Sequence, residues 1–233
     1  MRPPRPLSAS VTAVAVAVAV LCASATPGCS PPPPQRARVP VRAPSPVLAA
    51  EVTDPPPAKL GASIRAGCPV PAERLRLIRM NHWGFDGKVH RGELIVHRDA
   101  VKPLLYVFGR AFEARFPIRR MRVAAAYGGD DRAAMADDNS SAFNCRPVTG
   151  DPGRQSRHAW GLAVDINPVE NPYVDVHGLL HPAAGRPYLR RDPLRPGMIA
   201  EDGVVATAFR HVGWYWGGRW SNPDYQHFSS DGA

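Results

Sequence analysis

The sequence predicts an α+β fold, one compact domain with a central antiparallel sheet and flanking helices. Three observations carry this. Strand-like segments come as neighbours joined by a turn, helical segments stand apart from them, and the part with core-forming composition, residues 61–233, has the length of one domain. The chain has 233 residues and a formal charge of +9, from 29 Lys and Arg against 20 Asp and Glu, with 27 prolines. Fourteen of those prolines fall in the first 60 residues, together with six basic and two acidic residues; the other 173 residues hold 23 basic and 18 acidic ones. A moderately basic domain therefore stands behind a Pro-rich leader. Collagen-like, wholly disordered and multi-span membrane classes are excluded.

In chain order, Arg2 and Arg5 precede an apolar run from Val11 to Ala23, which ends in Ala23-Ser24-Ala25. Charged, apolar, then small is the order of a secretory signal, so residues 1–28 are expected to direct export. The run of 13 residues is too short for a transmembrane helix, which needs about 20. Two processing readings compete: cleavage after Ala25, or cleavage before Cys29 with a lipid on its thiol and anchoring to a membrane. Residues 29–60 read PPPP, VPVRAPSP and DPPP, too poor in core formers to offset their ordering entropy, and predict an extended tether. Binding of nucleic acid is not expected, because the basic residues lack interleaved aromatics that would stack bases, and 26 of the 29 are Arg.

Leu75–Met80 alternates apolar residues with Arg, the period of a half-exposed strand. Phe85-Asp86-Gly87-Lys88 is a turn and GELIVH, residues 92–97, the returning strand. Apolar residues at 101, 104, 105, 108 and 112 have helical spacing within Ala100–Phe116, and Pro117 ends the helix. Ile118–Tyr127 is a strand candidate and Gly128–Ser141 a polar loop. Leu162–Ile166 is a short strand, and Asn167–Gly197, rich in Pro, Gly and Asn, a long loop. Asp202–Val212 is helical, with Asp202 as N-cap and Gly213 as the stop. Trp214–Trp220 and Tyr225–Phe228 close the chain as strands.

Of four cysteines, Cys22 lies in the signal and Cys29 at its end. Cys68 and Cys145 remain, and in an exported domain most simply form one disulfide, with two unbridged thiols as the alternative. Neither has a second Cys or a His two to four residues away, as a metal site would.

Three segments carry chemistry: SRHAWGLAVD (156–165), WGGRW (216–220) and DYQHF (224–228). His158 and Asp165 flank a Gly-containing turn into a strand, and His227 lies on the last strand. Two imidazoles and a carboxylate suffice to hold a catalytic Zn²⁺ with one position left open. Asp224 is the candidate catalytic base, able to take a proton from water and deliver it to a leaving amine; an Asp side chain demands closer backbone placement than Glu. Arg146 is a candidate clamp for a substrate carboxylate, and the tryptophans Trp214, Trp216 and Trp220 are assigned mainly to walls of the site, Trp216 as a candidate for substrate contact. His82, His90, His97, His177, His181 and His211 show no matching carboxylate pattern and are assigned structural roles.

Together, SRHAWGLAVDINPVENPYV, the preceding NSSAFNCR and the terminal GWYWGGRWSNPDYQHF resemble the zinc peptidase family of D-alanyl-D-alanine carboxypeptidases and L-alanyl-D-glutamate endopeptidases. The closer likeness is to its bacterial endopeptidase-like branch, which includes phage endolysins. The resemblance spans about Cys68 to Phe228. It implies an α+β fold shared with Hedgehog domains, one Zn²⁺ per chain held by His158, Asp165 and His227, Asp224 as base, Ser156 and Arg146 near the substrate or behind the ligands, and peptidoglycan stem peptides as substrate. Better-known carboxypeptidases of the family have Glu where this chain has Asp224. The sequence thus predicts an exported, envelope-associated, monomeric zinc peptidase, with a non-catalytic zinc-containing wall-binding module as the alternative.

Overall fold

In the computed structural model, residues 46–232 are described. The expected signal, most of the expected tether, and Cys29 with its lipidation lie outside the described residues. Among the described residues, no helix is long and apolar enough to cross a membrane.

The described residues form a mixed helix and sheet domain, the α+β class expected. The strands are β1 Ala50–Thr53, β2 Leu75–Trp83, β3 Val89–His97, β4 Arg120–Met121, β5 Asn139–Ser140, β6 Pro147–Val148, β7 Asp151–Gln155, β8 Ala163–Asp165, β9 Tyr173–Val174, β10 Leu180–His181, β11 Tyr215–Trp216 and β12 His227–Ser229. The α-helices are α1 Pro57–Leu60, α2 Val101–Glu113, α3 Asp131–Ala136 and α4 Val204–His211. Two three-stranded antiparallel sheets, β1-β2-β3 and β11-β12-β8, stand where one central sheet was expected.

The β2–β3 hairpin separates two cores. Ile78, Met80, Leu94 and Val96 face one side, against Leu104, Val107 and Phe108 of α2 and Phe209 of α4. Leu75, Leu77 and Ile95 face the other, against Val123, Phe143 and Cys145. The adjacent apolar pair Leu77-Ile78 makes this possible. Successive strand residues point to opposite faces, so two apolar neighbours bury both. Both faces of the hairpin are therefore covered, not one as the alternation with Arg suggested.

Several expectations are corrected. Residues 50–60, assigned to the tether, belong to the fold. β1 pairs with β2, and Leu60 is buried in the second core. Ile118–Tyr127 is strand only at β4 and ends in a 3₁₀ turn, Ala124–Tyr127. The polar loop 128–141 contains α3, because Asp130 is an N-cap whose carboxylate accepts from the Arg132 and Ala133 N–H groups. The cap of α4 is Gly203, with no side-chain hydrogen bond, in place of Asp202. Trp214–Trp220 forms a strand only at β11 before turning at Gly217–Arg219.

The long segment after β8 stays mostly irregular, and asparagine side chains pin it. Asn167 donates to the Pro117 and Gly197 carbonyls, at 2.8 and 3.2 Å, and accepts from the Arg119 N–H. Asn171 donates to Gly197 and accepts from Ile199 at 2.7 Å. Each amide both donates and accepts, which suits a buried loop that lacks ladder partners.

Beside it, Glu170 is buried, with Arg119 on Oε1 at 3.4 Å and Asp138 close by. Burial, then the Asp138 carboxylate, push its carboxyl from an ordinary 4.5 up to about 8. Between those values the folded state binds more protons than the unfolded state, so stability falls as pH rises. The contribution is fully present below about pH 4.5 and lost as pH passes through about 8. Glu170→Gln is expected to remove this fall. Urea midpoints measured from pH 4 to 9 should converge for parent and variant at the acid end and separate in favour of Gln above neutrality; parallel curves would contradict it.

Candidate metal centre and its cleft

The centre is built by a strand pair, a turn and one supporting segment. Asp165 ends β8 and His227 begins β12, and the two are directly opposed in the antiparallel register. Opposed residues present their side chains on the same face about 5 Å apart, so the ladder itself brings the carboxylate to the imidazole. His158 arrives on the 3₁₀ turn Arg157–Trp160. Ser156 caps that turn by accepting from the His158 N–H at 3.3 Å. Gly161 ends it at φ 68°, and a Cβ there would lie 2.6 Å from the His97 nitrogen, at the end of β3. Only glycine suits both the left-handed turn and this approach.

The segment 141–146 holds these pieces in place. Ser141 exchanges backbone hydrogen bonds with Asp165 at 3.0 and 2.9 Å, and the Asn144 N–H donates to the His158 carbonyl at 3.1 Å. His158 Nδ1–H donates to the Ala142 carbonyl. This fixes the tautomer and turns the Nε2 lone pair toward Asp165 and His227, as an outer hydrogen bond does for a metal-binding imidazole. Cys145 is bridged to Cys68, with Cα atoms 5.8 Å apart.

His158 Nε2 lies 3.3 Å from His227 Nδ1 and 3.1 Å from Asp165 Oδ2, and His227 Nδ1 lies 2.9 Å from Asp165 Oδ1. Tetrahedral metal–ligand bonds of about 2.0 to 2.1 Å give donor separations of about 3.3 Å, so the donor set fits a small divalent ion. All three residues are buried, at 1, 3 and 6% exposure for His158, Asp165 and His227. Among the described residues, this is the group of His, Cys, Asp and Glu able to hold an ion. Burial alone would raise the Asp165 carboxyl, but the two imidazoles hold it well below the usual carboxylate range.

Asp224 opens into the same cleft. Its N–H donates to the Gly217 carbonyl at 3.0 Å, and a Cβ at Gly217 would lie 2.9 Å from the Asp224 oxygen. Burial pushes the Asp224 carboxyl up to about 7, against the pull of His227 and Arg146, and its Oδ1 has no hydrogen-bond partner. A buried carboxyl in the same cleft as a candidate metal centre, with one oxygen free of hydrogen bonds, is suited to accept a proton.

Arg146 and Ser156 line the cleft. Arg146 is partly engaged: its Nη2 pairs with Asp131 at 2.8 Å, the Thr149 hydroxyl donates to the same carboxylate at 2.7 Å, and its buried Nε has no hydrogen-bond partner. Trp216 is not a wall of this cleft. Its indole N–H donates to the Tyr225 carbonyl at 2.9 Å and its ring stacks on Phe228, in the core. Trp220 takes the wall position, 5.4 Å from the His227 ring. His181 and His90 do find carboxylates, Asp175 and Asp86, both at 2.9 Å and both away from the centre. Of the tryptophan cluster expected as walls, Trp220 takes that place. Sequence reasoning missed Asp131 and the Ala142 carbonyl: the first gains its role only through folding, and a backbone carbonyl carries no sequence signal at all.

No curated protein and no solved structure matches the chain. Residues 149–230, which contain His158, Asp165, Asp224 and His227, match the family described as D-alanyl-D-alanine carboxypeptidase, the family that the sequence resembles.

Proposed function

We propose that the protein is an exported zinc peptidase that hydrolyses a peptide bond in peptidoglycan stem peptides. The observation that carries this reading is the His158–Asp165–His227 donor set with Asp224 beside it, inside the segment matched by the family. His158, Asp165 and His227 would hold one Zn²⁺, which supplies a Lewis acid for the scissile carbonyl and lowers the pKa of a bound water towards about 7. Asp224 takes a proton from the attacking water and returns it to the leaving nitrogen as the C–N bond breaks. Arg146, held by its pairing with Asp131, lines the same cleft and adds positive charge beside the centre. The Cys68–Cys145 bridge supports export, since disulfides persist in oxidising compartments.

The expected result is that purified protein releases peptide fragments from cell walls, that a chelator stops release and that Zn²⁺ restores it. Mass spectrometry of the soluble fraction checks this. Intact walls after incubation with protein carrying one zinc per chain would overturn it, and would favour the wall-binding alternative.

A further inference from the structure

Trp220 lines two hollows. One is the metal cleft, and the other is a separate groove of about 440 Å³ that contains neither the three candidate metal ligands nor Asp224. Its volume is inside the range of about 300 to 1,000 Å³ found for ligand sites. The groove lies where β11 meets α4. β11 is the edge strand of its sheet, and successive strand residues point to opposite faces, so Trp216 packs toward the core while Tyr215 stands 58% exposed. Ala206 and Arg210 enter from α4, four residues apart and so on one face of that helix.

Trp214 marks this groove as more than an apolar dent. It is only 7% exposed, and its ring packs against Phe209. A buried indole N–H ordinarily finds an acceptor, and that of Trp216 does, in the Tyr225 carbonyl. The Trp214 indole N–H has no protein acceptor among the described residues, so its hydrogen bond is left to whatever fills the groove. The lip carries both signs of charge. Glu201 pairs with Arg219, each side chain 55% exposed, and Arg210 has only a 3.4 Å contact to the Thr207 hydroxyl.

Aromatic faces, one buried donor and a lip that offers donors and acceptors together suit a ligand with flat apolar faces edged by hydroxyl and carbonyl groups. A pyranose ring bearing an acetamido group has this form. Its C–H faces would rest against Tyr215 and Trp220, its acetamido carbonyl would accept from Trp214, and its hydroxyls would bond to Glu201 and Arg210. An aliphatic peptide would leave the lip and the indole N–H unpaired, and a nucleic-acid phosphate would meet the Glu201 carboxylate.

We propose that this groove is a binding site for an N-acetylated saccharide, apart from the metal centre and independent of the metal. The proposal goes beyond the peptidase reading and stands without it.

The test titrates full-length protein with the peptide-free tetramer of N-acetylglucosamine by isothermal calorimetry, with and without a chelator. Saturable binding with a Kd below about 10 mM, unchanged by the chelator, is expected. Tyr215→Ala should weaken it about tenfold by removing a stacking face, and Trp214→Phe by a similar factor, since it removes the N–H and keeps an aromatic ring in the core. Because Tyr215 is exposed, its variant keeps the test open if Trp214→Phe fails to fold. Arg154→Ala, in the metal cleft and outside the groove, should bind as the parent does. No saturation, parent affinity in Tyr215→Ala, lost binding in Arg154→Ala, or equal or tighter binding of oligothymidine or of a neutral leucine peptide overturns the proposal. Release of peptide from cell walls decides the peptidase reading separately.

Discussion

Replacing Asp224 by Asn is expected to lower turnover on stem peptides by about 10²- to 10⁴-fold, the usual contribution of a positioned general base. Asn keeps the size of the side chain but cannot hold a proton. The metal ligands are other residues, and Asp224 is anchored through its backbone, by its N–H to the Gly217 carbonyl and its carbonyl to the His227 N–H. Zinc stoichiometry by atomic absorption and urea stability should therefore match the parent, and the loss should fall on kcat. A variant that loses its zinc, or that turns over at the parent rate, would remove Asp224 from the proton-transfer role. Gly217→Ala approaches the same point from the other side, because its new Cβ would crowd the Asp224 carbonyl. It should impair turnover without altering any titratable group.

Removing the disulfide should cost about 4 to 5 kcal/mol, since the bridge closes a long loop, with a sequence separation of 77 residues. That is a large share of the about 5 to 15 kcal/mol by which a domain is stable. The consequence reaches the centre as well. The Cys145 N–H also donates to the Ser63 carbonyl at 2.8 Å, and the next residues back along the chain are Asn144, Phe143 and Ala142, whose carbonyl orients His158. A Cys68→Ala/Cys145→Ala variant is expected to show a much lower urea midpoint and weaker zinc affinity together, while the parent treated with reductant should approach it. A midpoint within about 1 kcal/mol of the parent would mean that the second core holds this segment without the bridge.

Much of this was legible before folding. Helix α2 could be read from its apolar spacing and its proline stop, the β2–β3 hairpin from two strand-like runs around a turn, and β8 from a short apolar run. What failed were segments whose structure depends on a distant partner. β1 was hidden in a proline-rich stretch because a strand at a sheet edge needs only a neighbour offering unpaired backbone groups, and that neighbour, β2, comes about 25 residues later. α3 was hidden because a capping aspartate and a loop aspartate look alike along the chain.

The division at the site is similar. Residue types and their order suggested His158, Asp165, His227 and Asp224, because few side chains bind a divalent ion or move a proton, and here they stand in a specific pattern. Only the fold decided that Asp165 and His227 face each other across one strand pair, that Ala142 turns His158 toward them, and that Arg146 pairs with Asp131. It also packed Trp216 against the core, half-buried, and set Trp220 on the cleft wall, two tryptophans four residues apart that composition cannot tell apart. The physical reason is that a side chain's chemistry belongs to the residue, whereas its direction, its burial and the charge it meets are set by groups far away in the chain.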